Sequence, residues 1–266
     1  MLKSLTQSRR MAQAIRAFLL HAACSLAVAF LAGALVFGLW YPYPYSEMAG
    51  GRELFMLIVA VDVVCGPLLT LVLYSPHKPR AELARDIGMV ILIQLAALSY
   101  GLWTVMEARP LFLVHEVDRF KVVAMPDIER EALTTLPKSL RPAFFSGPRV
   151  VAIREPVDAQ ERDKVLHAAL AGGRDYAERP EFYIPYDDEA ARKTLLKASP
   201  LALFLERYPD QVDAANTLAK KREGDLSNWF VLPVIAKQDW VAVLDGRSAR
   251  ILGFLPGDGF AVSGAD

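Results

Sequence analysis

Apolar and charged positions divide this chain in two. Residues 17–40, 54–74 and 87–106 form three stretches almost free of charge. At 1.5 Å per residue each spans roughly 30 Å, the thickness of a hydrocarbon core, so each predicts a transmembrane helix. Beyond residue 106 the apolar runs shorten to strand length and charge returns. The remaining residues, 107–266, are enough for one domain with its own core.

That domain reads as α+β. "LFLVHEVDRFKVVAM" (111–125) predicts two strands around a tight turn at Asp118-Arg119, and "RVVAIRE" (149–155) predicts a third. Pro126-Asp127 opens a short helix ending before Pro137. Asp158 with Glu161 three residues on predicts a capped helix that stops at Gly172-Gly173. Asp187 or Asp188 starts another to about Ala198, and Pro209 to Arg222 predicts one more, closed by Gly224. Three strand-like runs follow, 229–236, 240–245 and 249–255, with a hairpin turn at Asp245-Gly246. Strands at both ends with helices between imply a largely antiparallel sheet. The tail "GDGFAVSGAD" reads as loose.

The chain is 53% hydrophobic and carries 30 basic and 30 acidic residues, so net charge says nothing and its distribution decides. Lys3, Arg9, Arg10 and Arg16 precede the first span and Arg52 follows it. Lys78, Arg80 and Arg85 follow the second, and Arg109 follows the third. The alternation places residues 1–16 in the cytoplasm, 17–106 in a bacterial inner membrane and 107–266 in the periplasm. Trp40, Tyr41, Tyr43, Tyr45 and Trp103 gather at the outer boundary. The first span is longer than a signal-peptide core and lacks a cleavage pattern, so it reads as a retained anchor. With 22 basic and 25 acidic residues, the outer domain does not bind nucleic acid.

Soluble-enzyme chemistry finds little purchase. His21, His77, His115 and His167 are scattered without metal-ligand spacing, and Cys24 and Cys65 both fall inside spans, so no metal, cofactor or disulfide is expected. No phosphate loop and no G-x-S-x-G elbow is present. The acids of "YDDEA" (186–190) suit a helix N-terminus.

The second span holds the informative chemistry. Asp62 lies roughly 12 Å below its outer end, where an acid costs on the order of 3 kcal/mol and must face protein or water. Asp62, Cys65, Gly66 and Thr70 share one helical face, suited to close helix packing, while Val61, Val64, Leu68, Leu71 and Val72 suit lipid. Pro67 cannot donate to the Val63 carbonyl, which frees an acceptor near Asp62. On the third span Ser99 and Tyr100 are level with Asp62, and Gln94 sits about one turn deeper. His21, near the inner end of the first span, is too far away. Two readings stand: Asp62 bonds Tyr100, Ser99 or Gln94 and fixes its own bundle, or it receives a polar group from another membrane helix. In the loop "WYPYPYSEMAGGRE" (40–53), Pro42 and Pro44 favour an extended backbone displaying Tyr41, Tyr43 and Tyr45, as a membrane belt or a docking ledge. Gly50 and Gly51 permit tight re-entry, followed by Arg52.

"LWYPYPYSEMAGGRELF", "VAVDVVCGPLLTLVLYSPHKPRAELARD", "QLAALSYGLWTV" and "ARPLFLVHEVDRFKVV", in that order, resemble the type IV pilin accessory proteins of the TfpX/TfpZ type. The likeness is strong over residues 15–125 and looser beyond, where "WVAVLDGRSARILGFLP" fits. Cys65 stands where an aliphatic residue would be expected. The resemblance implies an inner-membrane chaperone or assembly modulator for fimbrium biogenesis, without catalytic residues, whose partner is a membrane-embedded pilin subunit and, with it, the pilus assembly machinery. It marks the Tyr41 to Arg52 loop, Asp62, Gly66, Pro67 and the segment Glu116, Asp118, Arg119 and Phe120. The implied partner helix brings a free amine and a glutamate into the membrane. The competing readings are a pilin-modifying enzyme, which would need more spans or paired cytoplasmic-side aspartates, and a membrane-anchored periplasmic sensor, which would need a cytoplasmic output module.

Overall fold

A computed structural model describes residues 2–75 and 78–262. His77 lies outside the described residues, as do the last four residues of the tail. The chain forms two compact units. One holds the chain up to Leu39 together with Gly51–Glu107, and the other holds Trp40–Gly50 together with the chain from Ala108 on.

The first unit is helical. Helix α1 (Leu2–Leu35) continues into a π-helical turn at Val36–Trp40. Helices α3 (Gly51–Leu73) and α4 (Arg80–Glu107) complete it, and α2 (Tyr45–Met48) belongs to the other unit. Met11–Trp40, Gly51–Leu73 and Arg80–Glu107 are long and apolar enough to cross a membrane. Their outward faces carry exposed Leu19, Phe30, Val64, Val72, Leu92 and Ile93, a surface that suits lipid and not water. The chain is a membrane protein with an extra-membrane domain.

Helix α3 packs against both α1 and α4, whereas α1 and α4 hardly touch each other. The three helices thus form a row with α3 in the middle. Phe55 of α3 meets Phe37 edge-on at 5.1 Å and lies over Gly33, and Ile58 lies over Gly101 of α4. Small residues set these close approaches, as membrane packing without a hydrophobic drive requires.

The second unit contains an eight-stranded mixed sheet. Strands β1 (Pro110–Glu116), β2 (Arg119–Ala124), β3 (Arg149–Ile153), β4 (Tyr183–Pro185), β6 (Trp229–Ile235), β7 (Trp240–Asp245) and β8 (Ile251–Pro256) lie in the order β4-β3-β1-β2-β6-β7-β8, with the two-residue β5 (Ser199–Pro200) also paired to β6. The β1–β3 and β2–β6 pairings are parallel and the other pairings antiparallel. Helices α5 (Ala132–Thr135), α6 (Ala159–Leu170), α7 (Asp188–Leu195), α8 (Leu201–Arg207) and α9 (Val212–Arg222) connect the strands. The predicted α+β fold with a largely antiparallel sheet is present.

Both faces of the central strands are covered. Val241 and Val243 pack with Phe204 of α8 and Ala215 of α9, while Ala242 and Leu244 face the opposite core with Leu113, Phe120 and Leu232. Double burial explains why β6 and β7 read as continuous apolar runs and do not alternate. Pro233 is tolerated because one edge of β6 is shared between β5 at Phe230–Val231 and β2 at Val234–Ile235. The residue without an N–H falls in the gap.

Several local expectations shift. The β1–β2 turn is Val117-Asp118, since Arg119 already pairs with Glu116, and Val117 takes φ 43°. Pro126-Asp127 lies in a single 3-10 turn, with α5 following separately. Asp158 caps α6 by accepting from the Glu161 N–H at 2.7 Å, and Asp187 caps α7. The left-handed residue closing α9 is Glu223 and not Gly224. Asp245 accepts from the backbone N–H of Arg247 and Ser248, making a wider loop than a two-residue hairpin. The start of the tail is ordered: Gly259–Ala261 forms a 3-10 turn and Val262 joins the core beside Phe204.

Candidate functional site

The polar groups of the helical unit converge where α1, α3 and α4 meet. Along α3 the buried positions are Asp62, Gly66, Pro67 and Thr70, a stripe of helical period, with Asp62 only 9% exposed. Cys65 was expected on this face, but its thiol is exposed, so the protein-facing stripe is narrower than predicted. Helical spacing explains this: 62, 66 and 70 advance by one turn each, and 65 lies to one side.

Gln94 of α4 is the partner of Asp62. Its Nε2 donates to the Asp62 carbonyl at 2.8 Å and reaches the Asp62 carboxylate at 3.4 Å. The amide lies across Gly66, and a Cβ at that position would overlap it, so glycine is required there for space. Ser99 and Tyr100, the residues level with Asp62 by depth, are both exposed and make no hydrogen bond to it. Depth gave the level but not the rotation. The buried stripe of α4 runs through Val90, Leu98, Gly101 and Val105, and Gln94 lies on it one turn before Leu98. The expected acceptor moves by one residue as well, since Gln94 bonds the carbonyl of Asp62 and not that of Val63.

Two turns inward from Asp62, His21 Nδ1 of α1 lies 2.6 Å from Thr70 Oγ1. His21 therefore serves Thr70, and the polar stripe of α3 is contacted from both sides. Around it is a cavity of about 400 Å³, lined by His21, Ser25 and Val28 of α1, Asp62 and Thr70 of α3, and Ile91 and Gln94 of α4 among others. It follows from the row arrangement, because helices that flank a common neighbour without touching leave a groove over it. Gln94 Oε1 is buried in this region without a hydrogen-bond partner among the described residues. The site thus offers acceptors, the Asp62 carboxylate and Gln94 Oε1, inside apolar walls. Such a site suits a donor, and an ammonium group above all.

The loop from Trp40 to Glu53 is built differently from its expected display. Tyr41 is 1% exposed and Tyr45 and Met48 are buried; only Tyr43 stands out, at 72%. Pro42 does not extend the chain but begins a turn, in which Tyr45 N–H donates to Pro42 O at 2.8 Å and α2 follows. Tyr45 and Met48 join Leu113, Phe120 and Trp240 in the core of the sheet domain, and Lys237 N–H donates to Met48 O at 2.9 Å. Burial raises the pKa values of the Tyr41 and Tyr45 phenols. Gly50, at φ 70° and packed against Lys237, makes the bend, and Gly51 begins α3. Arg52 is exposed.

The Glu116 to Phe120 segment divides in the same way. Phe120 is wholly buried, while Asp118 and Arg119 are partly exposed and paired at 2.8 Å. Burial and then Asp175 raise the Glu116 pKa. The residues expected to dock a partner outside the membrane are therefore split between core and surface. Tyr41, Tyr45 and Phe120 build the domain, and Tyr43, Asp118 and Arg119 remain available at its surface.

Among the described residues no group of three or more His, Cys, Asp or Glu side chains is placed to hold a metal ion.

Comparison with known proteins follows the same lines. The family described as fimbrial assembly protein FimB matches residues 9–50. The fimbrial assembly protein of serogroup I from Dichelobacter nodosus is 35% identical over 229 residues, covering 85% of this chain and 88% of that protein. Its serogroup E1 counterpart is 33% identical over the same shares. The protein of serogroups C1 and C2 is 42% identical over 109 residues, 41% of this chain and 83% of that relative. No solved structure matches the chain.

Proposed function

Because the chain belongs to the FimB fimbrial assembly protein family and so has a role in pilus biogenesis, we propose that it is a non-enzymatic inner-membrane factor that shelters the N-terminal helix of a type IV pilin. Residues 1–16 are cytoplasmic, 17–106 form the membrane region, and 107–266 face the periplasm with the 40–50 loop built into that domain. The orientation rests on the Lys and Arg alternation.

The observation that carries the reading is the Asp62–Gln94 pair opening on the groove between α1 and α4. A buried acid in a membrane helix is costly unless it serves a partner. Gln94 donates to Asp62 but leaves its own Oε1 and most of the carboxylate's capacity unused. A pilin's N-terminal ammonium supplies the missing donors, and its apolar helix fits walls such as Val28 and Ile91. The groove holds the helix through one polar contact and otherwise through packing, so release to the growing pilus requires only that this contact be matched elsewhere.

Asp62→Asn and Asp62→Ala test the reading. Both are expected to insert and fold yet to lose pilin co-purification and surface piliation. If both retain them at wild-type levels, Asp62 serves only its own bundle. If the variants lose a covalent modification of the pilin while keeping co-purification, the protein acts as an enzyme on its partner.

A further inference from the structure

The loop between α5 and β3 ends in a feature that lies outside the proposed pilin groove. Phe144 and Phe145 occupy the centre of a tight turn closed by Ser146 N–H donating to Ala143 O at 3.2 Å. The Ser146 hydroxyl bridges the same residue, accepting from Ala143 N–H and donating to Ala143 O. Phe144 is 49% exposed and Phe145 67%, their rings edge to face at 4.7 Å. Turn centres in water favour Gly, Asn, Asp and Ser, so two phenylalanines at this position need a non-aqueous neighbour.

The contacts of Phe144 identify that neighbour. Trp40, the last residue of the first candidate span, donates its indole N–H to Phe144 O at 2.9 Å and stacks edge-on with the ring at 5.6 Å. Arg109, two residues beyond the third span, places its guanidinium carbon 6.0 Å from the same ring. The phenylalanine turn is thus fastened to residues at the ends of two candidate spans. The loop is braced from behind: Arg141 donates to Leu136 O at 2.8 Å and to Thr134 O, and Arg149 donates to Ser139 O. Lys138 on the same loop is exposed.

We infer that the Phe144-Phe145 turn is an interfacial anchor that inserts into the membrane beside those span ends, in the outer leaflet by the orientation proposed above. The occupant is lipid because the turn is continuous with two span ends, where aromatic side chains gather.

The test uses the full-length protein with Cys24→Ser and Cys65→Ser, labelled with an environment-sensitive fluorophore at Phe145→Cys. It is reconstituted in phosphatidylethanolamine–phosphatidylglycerol vesicles. Val157→Cys, at an 82% exposed apolar position of the same domain, serves as reference. The expected result is blue-shifted emission at residue 145 and quenching by acyl-brominated lipid several-fold stronger than at 157, with little quenching by iodide and no need for pilin. Iodide quenching equal to that at 157, without lipid quenching, overturns the inference. Shielding of residue 145 that appears only when pilin is co-reconstituted also overturns it and makes the turn a protein-docking surface.

Discussion

Gly66→Ala is the most informative small change in the membrane region. The added Cβ overlaps the Gln94 amide, so the amide must leave the position from which it donates to Asp62. The lost interhelical hydrogen bond contributes about 1 kcal/mol in a membrane protein. Forcing a methyl into a filled contact costs about 2 kcal/mol. The higher helix propensity of alanine returns about 1 kcal/mol, leaving a net loss of about 2 kcal/mol. Gly88→Ala provides the control, because a Cβ at Gly88 of α4 meets nothing within 4 Å. It receives the propensity gain without the clash. Unfolding of the two variants by denaturing detergent in mixed micelles, followed by far-UV circular dichroism, measures the difference. Gln94→Ala in the Gly66→Ala background should restore part of the loss, since the obstructing amide is gone and the two changes are coupled. Equal behaviour of Gly66→Ala and Gly88→Ala, or strict additivity with Gln94→Ala, would refute the placement of Gln94 over Gly66.

Two further predictions concern the sheet domain. Burial lowers the pKa of His115 from 6.5 to about 4, so the folded state keeps it neutral while the unfolded chain binds a proton. Stability is then full above pH 6.5 and falls as pH drops toward 4, by about 3 kcal/mol at ~1.4 kcal/mol per unit. His115→Phe should flatten the curve in that window, and chemical denaturation at pH 7 and pH 4.5 compares the two. Val117 holds φ 43° at an exposed hairpin turn, a conformation a β-branched residue resists. Val117→Gly should therefore raise the melting free energy by about 1 kcal/mol, and a loss of stability would show that the valine side chain is needed there.

The sequence carries the fold class in its runs. Three stretches of membrane length almost free of charge, followed by short Val- and Phe-rich runs, specify spans and a sheet because burial depends directly on apolar patterning. The parallel pairings of β1 with β3 and β2 with β6 are long-range choices that leave no local trace. Strand β4 and helix α8 are missed because three- to seven-residue elements give too short a period to read. The loop around Tyr45 misleads for a chemical reason: tyrosines after a span suit a membrane interface and a protein core equally, and only the tertiary fold sends Tyr41 and Tyr45 inward. At Asp62 the acid, the glycine and the proline were visible as a set. Gln94 stood there as one of three candidate partners with Ser99 and Tyr100, and the choice among them was hidden, because depth along a helix is fixed by residue count whereas facing is fixed by packing. Gln94 has the length to reach across Gly66, and that reach depends on where α4 lies. The Phe144-Phe145 turn carried no signal beyond an unusual composition for a turn.

In the proposed function the groove over Asp62 receives a pilin helix. Site-specific photocrosslinking in the native membrane, from a photoreactive residue replacing Val28 or Ile91 on opposite walls of the groove, tests it most directly. Both positions are expected to capture the N-terminal segment of the pilin, with the yield sharply reduced by Asp62→Asn. Capture of only the protein's own helices or of lipid, unchanged by Asp62→Asn, would contradict it.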